Sequence, residues 1–342
     1  MNTPNFFEMK NFYFLLLCFA SCFLSTSQEQ INQNNTSFIA FTIPEKDLLP
    51  ESMAHDFKTK SFFVGSTRKG KIIKIDKYGQ QTEFIKPKQD GLWMVIGIQA
   101  DTDNRWLWVC SSGGGNLVDY KLKDDVDGRP AGIFKFDLDT GKLIKKYILE
   151  TKGKVHFFND LILDTDGNVY ITHMFQEHSI YTIQKEKDEL EIFLKPESLK
   201  YPNGISISND DRFLFVAHSE GLSRIEIATK ICTAIKNPNQ FKISYRESID
   251  GIYYYKNSLI CVQPDIKTVQ QLTLNNQLDT VINSKLLEVN HPMMNNPTTG
   301  VLIDDEFYYI ANAQFGSFDD DGNLFPMDKL YEPTILKTKI NE

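Results

Sequence analysis

The chain has 342 residues, is 41% hydrophobic and 24% charged, and carries a formal net charge of −8. That balance supplies a large core for a globular fold. It excludes a nucleic-acid binder, which needs clustered Lys and Arg to neutralise phosphates. The short basic run "RKGK" at 68–71 reads as a solvated turn.

Residues 9–28, "MKNFYFLLLCFASCFLSTSQ", place one Lys before an apolar stretch and finish in small polar residues. This is the pattern of a secretory signal, too short for a membrane span. Met9 offers an alternative start, and cleavage is expected after Ser27. The expected division is a signal peptide at 1–27, a polar leader at 28–35 and a single domain at 36–342. Export follows, to the periplasm or the exterior, as a protein with no membrane span. A rival reading makes "FASC" a lipoprotein signal with a lipid anchor at Cys22, although Phe19 fits that pattern poorly. Of five Cys, Cys18 and Cys22 belong to the signal. Cys110, Cys232 and Cys261 show no CxxC spacing, which argues against a disulfide framework or a zinc site.

Beyond the leader, "SFIAFTIP" (37–44) is an isolated strand. Six aromatic and β-branched runs follow: "SFFVGS" (61–66), "RWLWVCSS" (105–112), "NVYITHM" (168–174), "RFLFVAHS" (212–219), "SLICVQP" (258–264) and "EFYYIANA" (306–313). Turns such as "LDTDGN" (163–168) and "ISNDDR" (207–212) precede them, and a further strand follows each of the first five. The markers Phe63, Trp108, Tyr170, Phe215, Ile260 and Tyr308 stand 45, 62, 45, 45 and 48 residues apart. The long step contains a Gly- and Asp-rich insertion, "SGGGNLVDYKLKDDVDGRP" (112–130). A period near 45 residues with about four short strands per unit predicts an all-β fold. Specifically, it predicts a six-bladed β-propeller of four-stranded antiparallel blades, closed by the N-terminal strand, which would remove two exposed edges.

In a propeller the innermost strand of each blade lines the central channel. The inner strands are read as beginning in "LLPESMAHD" (48–56), "LWMVIGIQAD" (92–101), "HFFNDLILD" (156–164), "YPNGISISND" (201–210), "SIDGIYYYKN" (248–257) and "NPTTGVLIDD" (296–305). Their heads carry Glu51, an apolar or glycine stretch, Asn159, Asn203, Asp250, and Thr298 or Thr299. Two carboxylates and two amides recurring in phase predict one all-oxygen site for a divalent cation. Ca²⁺ is the expected ion, because it accepts hard oxygen ligands in irregular geometry. Taken singly, Asn203-Gly204 and Asp250-Gly251 are ordinary turn dipeptides.

The segments "PES…HD", "FNDLILDTDGNVYIT", "YPNGISISNDDRFLFVAHS" and "IDGIYYY" resemble the regucalcin/gluconolactonase family, within the calcium-dependent phosphotriesterase superfamily. The resemblance implies a six-bladed propeller whose channel mouth holds a divalent metal on Glu51, Asn159, Asn203 and Asp250. It also implies hydrolysis of lactones or related esters as small-molecule substrates. The first motif departs from the family's usual "EGP" or "EGI". The second-blade stretch "GLWMVIGIQAD" lacks the Arg and Asn with which sugar lactonases read their substrate. In a lactonase Asp250 is the expected general base, with His291 the first choice among the histidines. Arg246 and His156 are expected to bind substrate, and Asp160 to hold a ligand in place from behind. A monomer is expected. The alternative is a non-catalytic secreted propeller with a structural calcium, binding a partner or glycan through loops such as 112–130. An open pocket above the cation distinguishes the enzyme from that binder.

Overall fold

The computed structural model describes residues 36–120 and 127–340. The signal peptide, the whole polar leader and Cys22 lie outside the described residues. Among those described, helix is confined to short 3₁₀ turns. None of their helices is long and apolar enough to cross a membrane.

Strand β1 spans Phe38–Thr42. Blade 1 comprises β2 (Met53–Asp56), β3 (Ser61–Gly65), β4 (Ile72–Ile75) and β5 (Gln81–Ile85). Blade 2 comprises β6 (Met94–Asp101), β7 (Trp106–Ser112), β9 (Ala131–Asp137) and β10 (Leu143–Leu149), with β8 (Gly128–Arg129) just before β9. After β11 (Lys154–Val155), blade 3 runs β12 (Phe158–Leu163), β13 (Val169–His173), β14 (Ser179–Ile183) and β15 (Leu190–Leu194). Blade 4 has β16 (Ile205–Ile207), β17 (Phe213–His218), β18 (Gly221–Glu226) and β19 (Ile231–Ala234). Blade 5 has β20 (Ile252–Tyr255), β21 (Ser258–Gln263), β22 (Thr268–Leu274) and β23 (Val281–Val289). The sixth sheet takes β24 (Gly300–Ile303), β25 (Glu306–Ile310) and β26 (Thr334–Lys339), and β1 pairs antiparallel with the outer edge of β26. The six sheets are four-stranded and antiparallel, in a propeller arrangement.

Each of the six aromatic runs forms the second strand of its blade. Their composition follows from burial on both faces, with the two-residue alternation of a strand sending neighbours to opposite blades. In β7, Trp108 and Cys110 pack toward blade 3, whereas Leu107 and Val109 pack toward blade 1. In β17, Phe215 and Ala217 face blade 5 while Leu214 and Val216 face blade 3. Cys110 and Cys261 are buried thiols, and the described cysteines are free.

Two features depart from expectation. The "RKGK" turn is not solvated. The Lys71 side chain is 9% exposed and pairs with Glu45 at 2.8 Å, while Lys69 pairs with Glu45 and Asp47. Arg68 donates to the Asn116 carbonyl at 3.1 Å and accepts the Val118 N–H at its own carbonyl, 2.8 Å away. The cations are drawn in because the preceding "EKD" segment and the inserted loop fold against the turn. The second departure is β8, which pairs in parallel with β11. That contact fixes the C-terminal arm of the insertion beside the head of blade 3.

Candidate functional site

The backbone puts the heads of the inner strands in register. Asn203 N–H bonds to Ala217 O at 2.8 Å, Asp250 N–H to Val262 O at 2.8 Å, and Thr298 N–H to Ile310 O at 3.2 Å. One residue later the same pattern recurs, with Gly204 O, Gly251 O and Thr299 O accepting from the second strand, and Ser52 O doing so in blade 1. These bonds put Glu51, Asn203, Asp250 and Thr298 at the heads of blades 1, 4, 5 and 6, and slips in the β6–β7 and β12–β13 pairings put Ile96 and Asn159 at the equivalent points of blades 2 and 3. In blade 3 the β12–β13 pairing slips between Phe158 and Leu161, so Asn159 and Asp160 form a bulge. Bulges re-aim side chains, and this one explains two polar residues inside an apolar run. The Thr172 hydroxyl secures it, accepting the Asp160 N–H at 3.0 Å and donating to Asn203 O at 2.7 Å. Close approach of neighbouring blades requires Gly97, where a Cβ would stand 2.6 Å from Asn159 O and 2.9 Å from Asp160 Cα.

Glu51, Asn159, Asn203 and Asp250, from four different blades, line one cavity of about 390 Å³. Its remaining wall includes Met94, Ile96, Phe157, Met174, Phe175 and Phe315, with Gly114, Gly115, Asn116 and Arg129 contributed by the blade 2 insertion. Nothing in the strand alternation marks these wall residues. They sit at strand ends and in loops, where an apolar side chain reads as core.

The electrostatics are unbalanced. Glu51 is 7% exposed, and among the described residues its carboxylate has no hydrogen bond or ion pair. Burial, reinforced by Asp250 and Asp160, pushes its carboxyl well above the usual range. Burial raises Asp250 to about 6, opposed by a hydrogen bond from the Asn203 side chain. Asp160 is raised to about 7 by burial, with the Leu161 and Ile205 N–H groups opposing and Asp250 adding to the rise. Those two amides hold the Asp160 carboxylate at 2.8 and 3.3 Å and tie blade 3 to blade 4. Asp160 lines a second cavity of about 210 Å³ with Ser52, Ser206 and Tyr253. The Asn159 amide nitrogen lies 4.0 Å from the Met174 sulfur. The Thr298 hydroxyl is buried with no hydrogen-bond partner among the described residues. Buried carboxylates are costly without a countercharge, and hard oxygens are what Ca²⁺ prefers. The residues present fit a divalent cation. No group of three or more His, Cys, Asp or Glu side chains among the described residues forms a metal site; the set here pairs two carboxylates with two amides.

The other expected residues lie elsewhere. Arg246 is exposed in the 3₁₀ turn Tyr245–Glu247 and does not line the cavity. His291 is also absent from its lining; its Nδ1 accepts the Met293 N–H at 3.2 Å. His156 is buried and does not line the cavity, with Nε2 3.2 Å from Glu150 O and Nδ1 3.0 Å from His173 Nε2. Burial lowers the pKa of both rings, that of His173 to about 4.

No curated protein sequence matches the chain. Solved structures with the same fold include the Malassezia sympodialis allergen Mala s 1, with 14% identity, 88% of this chain and 96% of that one covered, and a TM-score of 0.65. A luciferin-regenerating enzyme gives 12% identity, 89% and 95% coverage and a TM-score of 0.60. Regucalcin from Agrobacterium tumefaciens, described as a calcium-binding protein, gives 14%, 88% and 93%, and 0.58. At these identities the likeness is one of fold. The sequence itself matches the SMP-30/Gluconolactonase/LRE-like region over residues 49–292. With that match spanning the first five blades and every residue of the four-blade polar set, the chain belongs to the SMP-30/gluconolactonase/LRE-like family.

Proposed function

We propose that this chain hydrolyses lactones or related esters at the mouth of the propeller channel, using a divalent cation held by Glu51, Asn159, Asn203 and Asp250. The observation that carries the reading is the shared cavity. Four polar side chains from four blades line it, and the Glu51 carboxylate is buried there without a partner among the described residues. Calcium is the expected ion, supported by the all-oxygen donor set and by the calcium-binding regucalcin neighbour. When bound, the ion supplies Lewis-acid polarisation of the ester carbonyl and a lower pKa for the attacking water.

The chain's own residues supply positioning and proton transfer. Asn159 and Asn203 fix the reacting centre from adjacent blades. The Asp250 carboxylate is the base, taking a proton from water as its oxygen bonds to the acyl carbon. That proton then passes to the departing alkoxy oxygen as the acyl–oxygen bond breaks, leaving a hydroxy acid. Asp250 is preferred to His291 because it lines the cavity and His291 does not. The apolar wall keeps bulk water from the reacting carbonyl. An open cavity beside the polar set favours this reading over a non-catalytic propeller with a structural calcium. We infer that the protein acts after export, which sequencing of the mature N-terminus tests: Gln28 is expected as the first residue, a lipid-modified Cys22 would replace release by lipid anchoring, and an uncleaved N-terminus would overturn export.

A panel of lactones and aryl esters, assayed with calcium, with chelator, and with Asp250→Ala or Asn159→Ala, tests the function. Turnover should need calcium, and Asp250→Ala should lower kcat/KM at least about a hundredfold. Turnover indifferent to the ion and to both substitutions would remove the mechanism.

A further inference from the structure

The geometry points to a substrate that carries an apolar chain or ring beside its lactone or ester group, rather than a polyhydroxylated sugar lactone. This inference rests on the hydrolase reading and deepens it. Leaving aside the four polar side chains, the cavity is walled by Met94, Ile96, Phe157, Met174, Phe175 and Phe315. Phe157 and Phe175 pack ring against ring at 5.2 Å, forming a continuous apolar face from blade 3. Ile96 takes the head position in blade 2, where four other blades carry a charged or amide side chain and blade 6 a threonine. Few polar side chains remain to read hydroxyl groups. Thr67 lines the cavity, but its hydroxyl is committed to Leu49 O at 2.7 Å. Asn116 and Arg129 are the remaining polar side chains of the lining, both on the insertion.

An aldonolactone presents several hydroxyl groups, and each one moved from water against these side chains loses hydrogen bonds that the wall cannot replace. An alkyl chain loses nothing there and gains from leaving water, about fourfold in affinity per methylene. A pocket lined mostly by apolar and aromatic groups, with a few convergent polar ones, is the usual form of a site for a compact organic ligand. Selectivity between two lactones of one ring size should therefore follow the apolar area of the substituent.

The test compares δ-valerolactone, δ-octalactone, δ-decalactone and glucono-δ-lactone on the full chain with calcium, after subtracting spontaneous hydrolysis. Expected is a kcat/KM rising about fourfold per methylene, with glucono-δ-lactone at least about a hundredfold below δ-decalactone. Phe175→Ser and Phe315→Ser, whose side chains are part-exposed, should each cut the δ-decalactone to δ-valerolactone ratio by about tenfold. Retained calcium-induced thermal stabilisation would show that the variants are folded. Equal or better turnover of the sugar lactone, or variants that leave the ratio unchanged, would overturn the inference. If no lactone is hydrolysed, the hydrolase reading fails, and calorimetric binding then decides the apolar wall. Tighter binding of δ-decalactone than of the sugar lactone supports the wall; no preference overturns it.

Discussion

Glu51 shows most sharply what the channel mouth requires. A buried carboxylate without a hydrogen bond or ion pair is destabilising as long as it stands alone, and two more carboxylates nearby add repulsion. Glu51→Gln should therefore make the calcium-free protein more stable in thermal unfolding while abolishing stabilisation by calcium. For the wild type, calcium at a hundred times its Kd should add about 2.7 kcal/mol. A variant that is less stable without calcium, yet still responds to the ion, would contradict this assignment. In the sequence Glu51 was visible only as one member of a recurring phase, since "PES" alone describes many surface turns. Asn159 was more legible, because a polar pair inside an apolar run needs a reason, and the bulge supplies it. Phe175 and Phe315 were not legible, because the pattern that identifies core strands does not say which apolar side chains face a cavity. Arg246 and His291 stand close in sequence to head residues, but neither lines the cavity.

At the scale of elements, the second strands were readable within a residue or two, except that the sixth ends at Ile310, three residues before its apolar run does; burial on both faces demands such runs. The β8–β11 pair was not, because two-residue strands have no period. Joints between blades were equally hidden, and one of them is polar. Asp56, at the end of β2, is fully buried and takes both Arg105 Nη atoms at 2.9 Å, while Arg105 also reaches Asp139 beyond β9. Burial pushes the Asp56 carboxyl up, but Arg105, the Thr59 hydroxyl and the Lys58 N–H outweigh it and hold it at about 2. Because the folded value lies below the ordinary 3.8, its stabilisation is fully present above about pH 5 and is lost as pH falls through about 2. That contribution should be about 1–2 kcal/mol after solvent screening. Arg105→Ala should cost about 3 kcal/mol at pH 7 by leaving a buried charge unpaired. It should also lose less stability than the wild type between pH 5 and pH 2 in urea unfolding. Parallel acid profiles for the two proteins would rule out this joint as the source.

The whole molecule makes one site from residues far apart in sequence. Glu51 and Asp250 stand almost two hundred positions apart, yet line one cavity because both head an inner strand. The repeat makes that convergence legible in the sequence, and the register of backbone bonds in blades 1, 4, 5 and 6 accounts for it physically. What the repeat left unread is the insertion between β7 and β9. It adds glycines, Asn116 and Arg129 to one side of the cavity, where a loop reading stops at solvent. The most direct measurement is a calorimetric titration of calcium into the chelator-treated full chain. One site per chain is predicted in the wild type, with affinity weakened at least about a hundredfold in Glu51→Gln and in Asp250→Asn, since each removes a charged ligand. No binding by the wild type, or one-site binding unaffected by either substitution, would contradict it.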